Sequence, residues 1–95
     1  MIDVKQTSAA DPLSFDVTVA EDGSATRHTV TMSLDDCARL CGGPDMAGRC
    51  VEAIFRFLLD REPKEAVLER FDVSVVARYF PEFETRLPAY LGARN

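Results

Sequence analysis

From Ser14 to Ala20 apolar and polar residues alternate, with Phe15, Val17 and Val19 on one side and Asp16 and Thr18 on the other. A period of two is that of a strand with one face buried. Glu21-Asp22-Gly23-Ser24 follows, and Asp-Gly is a turn signal because a tight hairpin needs residues that tolerate positive φ. A second alternation sets His28, Val30 and Met32 against Arg27, Thr29 and Thr31. Together the two runs predict an antiparallel β-hairpin. An isolated hairpin is marginal in water, so later elements must cover its apolar face. Ahead of it, residues 1–13 hold Ile2 and Val4 and then a polar run, which reads as a mobile leader rather than an edge strand.

After Met32 the period changes. Ser33 stands where a helix N-cap belongs and Asp36 adds negative charge near the helix start. Leu34, Cys37, Ala38 and Cys41 then share one helical face. Gly42-Gly43 stops this helix, because glycine accepts the left-handed conformation of a helix exit, and Pro44 suits the first turn of the next. Residues 45–60 carry the broadest apolar face, including Cys50, Val51, Ile54, Phe55, Phe57 and Leu58. Arg49, Glu52, Arg56 and Asp60 gather opposite, with Glu52–Arg56 and Arg56–Asp60 at the i, i+4 spacing of ion pairs. So wide an apolar face predicts a central helix that packs on more than one side, with Phe15, Val17, Val19, Val30 and Met32 against it.

Pro63 breaks that helix and can start another through Phe71, with Val67, Leu68 and Phe71 as its stripe. Asp72 caps a further segment, 73–80, which fits a helix better than a strand because the alternation fails on its second face. Pro81 opens a last helix bearing Phe83 and Leu87, and Pro88 is expected to stop it. Residues 92–95 are expected to fray. The predicted fold is α+β: one domain over residues 1–95, an N-terminal antiparallel β-hairpin packed on a bundle of about four to five short helices.

The stretch FRFLLDREPKEAVLERFDVSVVARYFPEFE, with the hairpin and SLDDCARL before it, resembles a group of small bacterial proteins with no assigned activity. Their shared pattern is a strand pair followed by a segment of the type FLLEREPKE, RFDLSVI, RYFPEFE. The resemblance spans most of residues 14–87 and is most specific from Phe57 to Phe83. It implies a bacterial α+β domain with a helix at 73–80, and it implies no functional residue, cofactor or partner.

Charge narrows the choice of function. The chain carries 16 Asp and Glu against 11 Lys and Arg, a net charge of −5. Such a balance works against broad binding to phosphate backbones or anionic lipid, so nucleic acid is a disfavoured partner and no membrane association is expected. The N-terminus lacks the basic and apolar regions of a secretory signal, which points to a cytoplasmic protein.

Three cysteines, Cys37, Cys41 and Cys50, are an odd and sparse set for a secreted disulfide scaffold, so reduced thiols are expected. With His28 they make a four-ligand set for zinc, but the close C-x-x-C pair is absent and the thiols lie on apolar faces. Packing as small buried hydrophobes is the simpler role. His28 is the only histidine, and the glycine- and serine-based catalytic motifs are missing, so no catalytic residue and no cofactor are assigned. The helices at 63–71 and 73–80 could form a helix-turn-helix, yet the second would present only Ser74 and Arg78 to a DNA groove. By elimination, the expected function is a small non-catalytic protein-interaction or regulatory module, acting on an unknown protein partner or by self-association. A thiol-ligated metal protein and a DNA-binding regulator are the alternatives. The expected interaction strip is Phe83, Leu87, Tyr90 and Leu91, provided the core is closed by Tyr79 and Phe80.

Overall fold

The computed structural model of the chain describes residues 1–92. Four strands form one sheet in chain order: β1 (Ile2–Ser8), β2 (Leu13–Glu21), β3 (Ser24–Met32) and β4 (Arg70–Asp72). The first three pair antiparallel, and β4 adds parallel to β3. Four helices accompany them: α1 (Leu34–Cys41), α2 (Ala47–Leu59), α3 (Val76–Tyr79) and α4 (Phe83–Gly92). Short 3₁₀ turns occupy Pro44–Met46, Lys64–Ala66 and Val73–Val75. The class is α+β, as the sequence pattern predicts.

The hairpin forms where the alternation places it. Asp22 and Gly23 both take positive φ, 56° and 80°, which lets the turn follow the twist of its strands. Phe15, Val17, Val19, Val30 and Met32 are buried, in one cluster with Cys50, Val51, Ile54, Phe55, Phe57 and Leu58 of α2. The His28 and Phe55 rings, 5.3 Å apart, tie β3 to that helix directly. Ser33 caps α1 by accepting a 3.0 Å bond from the Asp36 amide, and Gly42 ends it at φ 92°.

Residues 1–13 are largely not a mobile leader: β1 is a paired edge strand. Ile2 and Val4 stand opposite Val19 and Val17 and lie partly buried beside the core. Two apolar residues at strand spacing suffice once a formed hairpin offers them an edge.

The segment after α2 also departs from the pattern. No helix runs from Pro63 to Phe71. A single 3₁₀ turn, Lys64–Ala66, gives way to extended chain that enters the sheet as β4. In an extended backbone the adjacent Val67 and Leu68 face opposite ways. Accordingly Val67 is buried and Leu68 exposed. The helical reading of 73–80 holds, as a 3₁₀ turn continuing into α3, and Asp72 caps it through a 3.0 Å bond from the Ser74 amide. Pro88 does not stop the last helix, which runs from Phe83 to Gly92. The carbonyl it leaves without a helical partner is that of Glu84, on the exposed side, where water can satisfy it.

Asp72 joins two elements, because it also accepts a 2.6 Å bond from Thr31 Oγ1 on β3. Burial raises its pKa, but the bonds from Thr31 and Ser74 outweigh that and hold the carboxyl below its ordinary value. A depressed carboxylate pKa contributes stability above the unfolded-state value of about 3.9, lost as pH falls through the folded value. Asp72→Asn keeps a capping oxygen but no charge, and is expected to cost about 1 kcal/mol at pH 7. Urea titrations of both proteins at pH 7 and at pH 3 check this: the gap should narrow at the lower pH.

Candidate functional site

The three cysteines and His28 do not meet. The Gly42-Gly43-Pro44 turn lays the start of α2 beside the end of α1, bringing the Cα atoms of Cys41 and Cys50 to 5.8 Å, close enough for a disulfide bond. That separation lies within the usual range for such a bond. Where the sequence leads to an expectation of three separate reduced thiols, Cys41 and Cys50 thus stand together as a pair and Cys37 stands apart. Cys50 is buried and Cys41 half-buried. A nine-residue spacing hides the pairing, because it depends on how two helices fold back on each other. Cys37 donates its thiol to the Gly43 carbonyl at 3.2 Å, and burial pushes its pKa up, away from the thiolate.

His28 sits in β3 on the core side, with Nε2 2.8 Å from Thr26 Oγ1 and Nδ1 2.8 Å from the Leu68 carbonyl. Both ring nitrogens are thus engaged: Nδ1 fastens the 64–69 segment to the sheet, and Nε2 is held by Thr26 of the same strand. Among the described residues, no group of three or more His, Cys, Asp or Glu side chains is disposed to hold a metal ion. The first helix of a helix-turn-helix is likewise not formed, since a single 3₁₀ turn at Lys64–Ala66 leads to the strand Arg70–Asp72 where that helix is expected.

The expected interaction strip is not a surface strip. Phe83 and Leu87 are each 1% exposed, and Tyr90 and Leu91 are half-buried against the core. Phe83 lies edge-on to Phe57 at 5.2 Å, and Tyr90 does so at 5.8 Å. The Tyr90 hydroxyl donates to Asp60, Arg61 Nη1 donates to Tyr90 Oη at 3.3 Å, and Arg56 Nη2 donates to the Tyr90 carbonyl at 3.2 Å. Arg56 therefore serves α4, in place of the i, i+4 pairs expected within α2. The condition for the strip fails at Tyr79, which is 66% exposed and leaves its share of the core to Phe83 and Leu87.

Tyr79 points instead to a different surface. Between the C-terminal end of α2 and the β4–α3 segment lies an apolar groove of about 290 Å³. Leu58, Leu68, Phe71, Val75, Val76 and Tyr79 are among the residues that line it. Leu68 at 48% and Tyr79 at 66% are two of the large exposed hydrophobic residues of the described chain. Glu62 also lines this groove. Burial raises its pKa, and no cationic side chain among the described residues forms an ion pair with it. Arg61, its neighbour, turns the other way, over the Phe57 ring at 3.7 Å and onto Glu82 at 3.0 Å. The groove thus combines apolar walls with one carboxylate that has no counter-charge from these residues.

No family model, curated protein or solved structure matches the chain. No helix among the described residues is long and apolar enough to cross a membrane.

One sequence signal bears on the groove. Val67 and Leu68 are adjacent, and Pro63 leaves little room for a helix before Asp72, so an extended path with one of the pair exposed fits these residues. Tyr79 carries no such signal, because its exposure depends on which aromatic residues α4 supplies to Phe57.

Proposed function

We propose that this chain is a small non-catalytic interaction module whose groove takes a short partner segment carrying an apolar side chain and a neighbouring Lys or Arg. The single observation behind this is the coincidence of Leu68, Tyr79 and Glu62 on one concave surface. Two exposed large hydrophobic side chains beside an apolar cleft are what a docking surface offers, since their burial is left for the partner to complete. A carboxylate at such a cleft selects for a cation, because it is partly desolvated already and gains from a charge-assisted bond. This reading keeps the interaction role expected from the sequence but moves it from the α4 strip to the groove.

The test is selection of short peptides from a random displayed library against the full chain. Enriched peptides should combine large apolar residues with a Lys or Arg. Their affinity should fall about tenfold or more in Tyr79→Ala and in Leu68→Ser, while the thermal midpoint of both variants stays near that of the wild type. Glu62→Gln should weaken basic peptides selectively. For the wild type, affinity should decline as acid protonates Glu62, and because its pKa is raised this begins at a higher pH than for an ordinary glutamate. In Glu62→Gln the same pH range should be flat. Peptides without basic residues, or binding indifferent to all three substitutions, would overturn the proposal.

A further inference from the structure

Strand β1 offers a second surface, independent of the groove. One side of it pairs with β2, and among the described residues no strand pairs with the other, which is an edge of the sheet. The opposite edge, β4, is only three residues long, whereas β1 has seven. A free edge of that length displays unpaired backbone donors and acceptors, and proteins usually blunt such edges with charge or irregularity.

The phase of the ladder tells which groups are free. Met1 and Ala20 exchange both backbone bonds, each 2.8 Å, so they are a hydrogen-bonded pair. Hydrogen-bonded and non-bonded pairs alternate along an antiparallel ladder. Asp3 and Lys5 therefore turn their amides and carbonyls toward β2, and Ile2, Val4 and Gln6 turn theirs to the open edge. The side chains of Asp3 and Lys5 are exposed on the outer face of the sheet, while Ile2 and Val4 lie toward the core.

We infer that β1 pairs antiparallel with β1 of a second copy, about a two-fold axis at Val4, joining two sheets edge to edge. In that register Val4 bonds with the other copy's Val4, and Ile2 with its Gln6. Asp3 then stands opposite Lys5 of the other copy, and the symmetry repeats the contact. That pair occupies a non-hydrogen-bonded position, where facing side chains come closest.

Neighbouring registers that use the same outward backbone groups fail on charge. Shifting the axis to Asp3 sets Asp3 against Asp3, and shifting it to Lys5 sets Lys5 against Lys5. Like charges directly opposite are destabilising. The segment Asp3-Val4-Lys5 is thus complementary to its own antiparallel copy in one register and repelled in those on either side. A two-fold contact requires this property of the patch that makes it.

Sedimentation equilibrium on the full chain and three charge variants tests the pairing. The wild type should show a monomer–dimer equilibrium. Asp3→Lys and Lys5→Asp should each weaken it about tenfold or more, since two attractive contacts become repulsive. An equimolar mixture of these two variants should regain association, and so should the double variant Asp3→Lys/Lys5→Asp. Recovery in the mixture also demonstrates that the single variants are folded. Amide exchange adds a direct readout: Ile2, Val4 and Gln6 should slow on dimerisation, while Asp3 and Lys5 are protected throughout. Tyr79→Ala should leave the dimer unchanged, which separates this outcome from that of the groove. A wild type that stays monomeric at about millimolar concentration would overturn the proposal. Single variants that dimerise like the wild type, or a mixture that does not recover, would do so equally.

Discussion

The double variant Phe83→Ala/Leu87→Ala is expected to be unfolded at 25 °C, not merely dissociated. Both side chains are buried at 1% exposure in the same cluster as the inner faces of the hairpin and α2. Truncating a buried Phe costs about 3–5 kcal/mol and a buried Leu about 2–5, because the surroundings collapse only partly into the space left. A domain's whole stability is about 5–15 kcal/mol, and a short chain belongs toward the lower end. The two sites are one helical turn apart, so their costs need not add strictly, but a sum of about 5–10 kcal/mol meets or exceeds the lower end of that range. Far-UV circular dichroism with a urea titration checks this. A variant with the wild-type transition, altered only in association, would return Phe83 and Leu87 to the surface.

Phe57→Ala is expected to be nearly as damaging, at about 3–5 kcal/mol. Phe57 is the ring on which the C-terminal third of the chain converges. Phe80, Phe83 and Tyr90 meet it edge-on with centroids 5.8, 5.2 and 5.8 Å away. The Arg61 guanidinium lies over the ring at 3.7 Å, held by the Tyr90 hydroxyl, the Phe57 carbonyl and Glu82. Phe57→Leu separates volume from ring chemistry. It keeps most of the packing but forfeits the edge-on pairs, each about 0.5–1.5 kcal/mol beyond burial, and the cation contact. Denaturant midpoints should therefore rank wild type, then Leu, then Ala. A leucine variant as stable as the wild type would mean that the aromatic contacts add nothing beyond filling space.

Where the sequence pattern was legible, the physics was local. The hairpin followed from strict alternation and an Asp-Gly turn, α1 from Ser33 and Gly42, and α2 from a face too apolar for water. Each needs only residues close in sequence. What went unread depends on partners distant in the chain. β1 contains just Ile2 and Val4, and becomes a strand because Val17 and Val19 are already displayed on β2. The 67–72 segment has enough apolar residues for a helix, yet it is drawn into the sheet beside β3, where His28 and Thr31 bond to Leu68 and Asp72. The choice between Tyr79 and Phe83 for the core turns on the angle at which α4 crosses α2, and no local spacing encodes that. The groove was illegible for the same reason, since Leu58, Glu62, Leu68 and Tyr79 converge only once 70–72 has joined the sheet as β4.

The most direct test of the groove is an amide shift map of the ¹⁵N-labelled full chain, titrated with a selected basic, apolar peptide. The account predicts that the largest shifts fall on Glu62, Leu68, Phe71, Val75 and Tyr79, with residues of β1 unmoved. Shifts confined to β1, to the outer face of the sheet or to Tyr90 and Leu91, with the groove silent, would contradict it.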